Sequence, residues 1–79
     1  MSEYQGWANR TTWNIALYIN NEYQIYKWAC DFMQDYKGNK PYQDFIDAYG
    51  LISTPDGFLY NSKSASRQEL NDMMKEINQ

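Results

Sequence analysis

Histidine is absent from this 79-residue chain, cysteine occurs once, proline twice and glycine four times. No stretch approaches the ~18 apolar residues of a membrane-spanning helix. Without histidine, the common zinc sites and histidine-based catalysis drop out. A single thiol, Cys30, excludes an intramolecular disulfide framework and fits a reducing compartment. The opening Met1-Ser2-Glu3-Tyr4-Gln5 lacks the basic region and apolar run of a secretory signal. These absences lead us to expect a soluble cytoplasmic protein with no cofactor, no metal and no membrane association. Positive charge is also scarce: seven Lys and Arg stand against ten Asp and Glu, for a net charge of −3. Such a balance gives no overall attraction for phosphate backbones and disfavours nucleic acid as a partner.

What the chain has in surplus is aromatic side chains: eight tyrosines, three tryptophans and three phenylalanines. A domain of this size buries only about 60–65% of its unfolded surface, so large rings partly offset a small core. No repeat, linker or low-complexity run divides the sequence, and residues 1–79 read as a single small globular domain.

Helical spacing dominates. A first helix is predicted from Arg10 to Asn20 or Asn21, with Asn9 as N-cap and Thr11 or Thr12 as competing caps. Its residues Trp13, Ile15, Ala16, Leu17 and Ile19 cover more than half the circumference and leave Asn14, Tyr18 and Asn21 as a polar strip, which predicts a central helix. A second helix is predicted from Glu22 to Lys37, with Ile25, Tyr26, Trp28, Ala29, Phe32, Met33 and Tyr36 on one side and Gly38 as a left-handed cap. A third starts at Pro41 and stops at Gly50, with Tyr42, Phe45, Ile46 and Tyr49 inward. Thr54-Pro55-Asp56-Gly57, between Leu51-Ile52-Ser53 and Phe58-Leu59-Tyr60, has turn chemistry that fits either a small hairpin or a tight Ω-like loop. A last helix opens at Ser66 with Glu69 as a capping box and buries Leu70, Met73, Met74 and Ile77. Asn78 and Gln79 are expected to fray. The expected fold is mainly α: three to four short helices around Trp7, Trp13, Leu17, Phe32, Phe45, Leu70 and Met73.

Two blocks carry a resemblance. Gly6-Trp7, Asn9-Arg10, Thr12-Trp13, Ala16-Leu17 and Asn20 resemble the opening of a family of small proteins of unknown function from bacteriophages and bacteria, cyanobacteria among them. Thr54-Pro55-Asp56-Gly57 and Glu69-Leu70-Asn71-Asp72-Met73-Met74 are similar to the C-terminal part of some members. Thr11 and Tyr18 depart from the pattern, where an acidic residue and a tryptophan are more usual. The resemblance implies a phage or mobile-element origin and no particular activity.

Candidate chemistry is thin. Asp31 and Asp35 share a face of the second helix, as Asp44 and Asp47 do on the third, but neither pair has a Gly-rich loop or a third ligand. A solvated charged face accounts for them, and if adjacent they would form an acidic patch for a basic partner. Cys30 reads as an inert, buried thiol. Arg10, between two tryptophans in sequence, is expected to stack on Trp7 or Trp13 or to bridge to a carboxylate. Lys37, Lys40, Lys63, Arg67 and Lys75, with Tyr42 or Tyr60, are the candidates for a small basic-aromatic surface.

The aromatic surplus is the best functional hint, because rigid amphipathic rings are enriched at interface hot spots. The expected partner-binding residues are Tyr18, Tyr23, Trp28, Asp31, Asp35 and Tyr60. The favoured function is a non-enzymatic, phage-type accessory protein that binds a host protein and inhibits or redirects it. The alternative is a nucleic-acid-binding accessory protein using the local basic-aromatic surface.

Overall fold

A computed structural model describes residues 6–77, and the expected fraying of Asn78 and Gln79 lies outside them. Four helices account for most of the described chain: α1 (Arg10–Asn21), α2 (Tyr23–Gln34), α3 (Pro41–Tyr49) and α4 (Arg67–Ile77). The fold is mainly α, as the helical spacing predicts.

Local chemistry sets the α1 and α3 boundaries. Asn9 sits in extended geometry (φ −160°) and its side-chain oxygen accepts from the Thr12 N–H, which makes it the N-cap ahead of Thr11 or Thr12. Pro41 occupies the first turn of α3, where its missing N–H costs nothing. Gly50 closes that helix at φ 65°, in the left-handed region that favours glycine, with its N–H returned to the Ile46 carbonyl.

The end of α2 differs from expectation. The helix stops at Gln34 instead of Lys37, and Gly38 is not among the glycines with positive φ. The cause is Tyr36. Its ring packs on Phe32 at 5.1 Å, while its hydroxyl donates to Asp44 Oδ2 and accepts from the Lys40 N–H at 3.0 Å. These tertiary bonds pull the chain out of helical geometry. A Cβ on Gly38 would lie 2.3 Å from the Tyr36 hydroxyl, so glycine serves close approach here and not a left-handed turn.

Residues 51–60 form a tight turn pinned by one antiparallel bridge between Ser53 and Leu59. Gly57 (φ 92°) donates to the Thr54 carbonyl at 2.9 Å, and Tyr60 donates to Ile52 at 2.9 Å. The turn is anchored by Tyr60, which is 1% exposed.

The core gathers Ile15 and Ile19 from α1, Ala29 from α2, Tyr42, Phe45 and Ile46 from α3, and Leu70, Met73 and Met74 from α4. Of the predicted centre, Phe45, Leu70 and Met73 are buried, whereas Phe32 and Trp7 pack half-buried against it and Leu17 is exposed. The predicted polar strip of α1 is corrected at Asn14, which is buried and donates to Asp56 Oδ2, while Asn21 is exposed as expected; Thr12, a cap candidate, is buried too and accepts from the Ser66 N–H. Centrality passes from α1 to α2 and α4, each of which meets all three other helices, while α1 packs on those two.

Candidate functional site

The six expected partner-binding residues differ in exposure. Tyr23, Asp31 and Asp35 are exposed on or just beyond α2. Trp28 is half-buried and stacks on Tyr49 with ring centroids 5.2 Å apart. Tyr18 is half-buried, and desolvation together with the neighbouring Asp56 carboxylate, to which it hydrogen-bonds, pushes its hydroxyl above the usual tyrosine range. Tyr60 must be removed from the set. The 54–57 turn folds it under the surface, where Tyr42 donates to its carbonyl at 2.6 Å.

Most of the other candidates make contacts within the fold, whereas Lys37, Lys40, Lys63 and Lys75 are exposed. Asp44 accepts from Tyr36, and Asp47 accepts from Gln43 at 3.1 Å. Arg10 stacks on Phe58 (5.5 Å to the ring centroid) and not on a tryptophan. Cys30 is half-buried, with its thiol beside the Tyr26 hydroxyl. Arg67, one of the five cations of the expected basic surface, lies over the Tyr42 ring at 5.4 Å. Its guanidinium donates to Gln43 Oε1, to the Ser62 and Ala65 carbonyls and to Asn61 Oδ1 over 2.9–3.2 Å. Four of its five N–H donors are thereby spent inside the fold.

The feature with an unspent surface lies elsewhere. An open groove of about 570 Å³ runs between the segment before α1 and the solvent side of α4, with Trp7, Tyr26 and Met73 as apolar walls and Glu69, Asp72 and Glu76 as acidic ones. A smaller recess of about 160 Å³, walled by Trp13 and Leu17, adjoins it and shares Trp7 and Asn20. Spacing explains the acidic wall, since positions i, i+3 and i+7 of a helix share a face.

Hydrogen bonds between distant segments position the walls. Glu69 only half fulfils its capping box: its N–H donates to Ser66 Oγ at 3.3 Å, but its carboxylate turns away and accepts from the Ala8 N–H at 2.8 Å. The Ser66 N–H goes instead to Thr12 Oγ1 at 2.9 Å, and Asn9 Nδ2 donates to the Ser64 carbonyl at 2.7 Å. This brace holds Trp7 against α4. Asn20 Nδ2 donates to the Ala16 carbonyl at 2.8 Å and to Met73 Sδ at 3.3 Å, which fixes the amide between the two recesses.

Sequence reasoning missed this groove. Its one sequence signal is the i, i+3, i+7 spacing of Glu69, Asp72 and Glu76. Among the described residues, no group of three or more acidic or thiol side chains is arranged to hold a metal. None of their helices is long and apolar enough to cross a membrane.

The fold and groove define a small helical domain whose open surface is aromatic and acidic. The chain belongs to a family of unknown function, DUF7249, whose model matches residues 1–79. No curated protein and no solved structure matches it.

Proposed function

We propose that this is a non-catalytic accessory protein that works by occupying a surface of another protein, blocking or redirecting it, and that it docks through the groove beside Trp7. The observation that carries this reading is the groove itself, aromatic and thioether on its walls and acidic along one edge. Large amphipathic rings in a partly formed recess are what interface hot spots use. The resemblance to small phage and bacterial proteins supports a host protein as the partner. The nucleic-acid alternative is weakened by Arg67, which spends its guanidinium on the fold.

Capture of the tagged protein's partner from a lysate, compared across two variants, tests the reading. Asn20→Tyr fills both recesses without altering charge. A triple change, Tyr23→Ala, Asp31→Asn and Asp35→Asn, clears the exposed side of α2 instead. A stoichiometric protein lost from the first and retained by the second supports docking in the groove. The reverse pattern moves the interface to α2, and recovery of salt-sensitive nucleic acid in place of protein overturns the reading.

A further inference from the structure

We propose that the groove receives a lysine or arginine side chain from an extended basic segment of the partner; this deepens the docking reading above and rests on it. Charge complementarity argues for that occupant. Of the described residues that line the larger groove, Glu69, Asp72 and Glu76 are anionic and none is Lys or Arg. Asp72 and Glu76 are exposed and stand four apart on α4, so their like charges repel along one helix face. A bound cation relieves that repulsion.

The remaining polar chemistry points the same way. The two amide hydrogens of Asn20 are committed to Ala16 and Met73, which leaves its carbonyl oxygen as the end that faces a ligand. Tyr26 lines the groove as well and brings an aromatic ring to it. Carboxylates and an amide oxygen accept hydrogen bonds, and the faces of Trp7 and Tyr26 attract cations. A guanidinium or ammonium on a long aliphatic stem satisfies each of these: the stem lies on Met73 and the rings, and the head reaches the acids. A neutral apolar segment would bury the acidic edge without compensation.

The probe is acetyl-Gly-Arg-Gly-Arg-Gly amide, with the same peptide carrying citrulline, the neutral isostere, at both arginine positions. Binding to the full chain is followed by the Trp7 indole N–H, the Asn20 side-chain amide and the α4 backbone amides in nitrogen-15 NMR spectra. The arginine peptide is expected to shift these signals at low salt, and the citrulline peptide to bind about ten-fold more weakly. Asp72→Asn with Glu76→Gln is expected to abolish the difference while the melting temperature stays level or rises. Equal binding of the two peptides overturns the proposal. So does a free-state Overhauser contact between the Tyr4 ring and Met73, which would make the chain's own N-terminal segment the occupant, or dimerisation through the groove in sedimentation. A lysate partner lost with Asn20→Tyr but retained by the Asp72→Asn, Glu76→Gln chain overturns the cation and leaves docking in the groove standing.

Discussion

The two sides of α4 are made from similar residue types and treated oppositely. On the side toward α3, Asn71 accepts from the Tyr42 N–H at 2.9 Å, and Arg67 spreads its guanidinium over the Tyr42 ring and several carbonyl and amide oxygens. On the groove side, Asp72 and Glu76 stand exposed, while Glu69 is tied into the fold through the Ala8 N–H. Satisfied polar groups in a packed seam mark architecture. On the groove side, acceptors of one sign stand exposed beside aromatic walls.

The contrast breaks most visibly if the core beneath α3 is emptied. Phe45 is fully buried and touches Phe32 and Tyr49 with ring centroids 5.6 and 5.1 Å away. Phe45→Ala is expected to cost about 3–5 kcal/mol in urea denaturation, a large part of what a domain of this size has. Alkali attacks the seam itself. Burial pushes the Tyr42 hydroxyl far above the ordinary tyrosine range against the pull of Arg67, and burial raises Tyr60 as well. The native chain therefore keeps those protons longer than the unfolded chain does. Stability should be full below about pH 10 and fall as pH rises beyond it, with circular dichroism loss tracking tyrosinate absorbance. Arg67→Lys should cost about 1.5–3 kcal/mol, because an ammonium cannot reproduce the planar fork that reaches Asn61, Ser62 and Ala65 together. The smallest effect belongs to the groove: Asp72→Asn with Glu76→Gln should leave thermal stability level or raise it by about 0.2–0.5 kcal/mol, since it removes a like-charge pair. A marked loss there would make the acidic edge part of the architecture after all.

How much was legible followed the range of the forces. The start of α1 and both ends of α3 could be read because Asn9, Pro41 and Gly50 act within a few residues of themselves. The end of α2 could not, because the bonds of Tyr36 to Lys40 and Asp44 depend on where α3 lies. Tyr60 looked like a rim residue because a run as short as Phe58-Leu59-Tyr60 does not reveal which side faces in. The groove was the least legible feature. Its walls, Trp7 and α4, lie at opposite ends of the sequence, and only the acidic spacing hinted at their meeting.

The brace joining Ala8, Asn9 and Thr12 to Ser64, Ser66 and Glu69 also has a meaning in time. Its bonds close loops of 54 to 61 residues, so each must offset the closure entropy of a loop that spans most of the chain. A chain leaving the ribosome N-terminus first can cap α1 locally with Asn9, yet Trp7 finds its opposite wall only once α4 has emerged and packed. Chains cut short before α4 would present helices and no groove, so the groove is a property of the finished molecule alone.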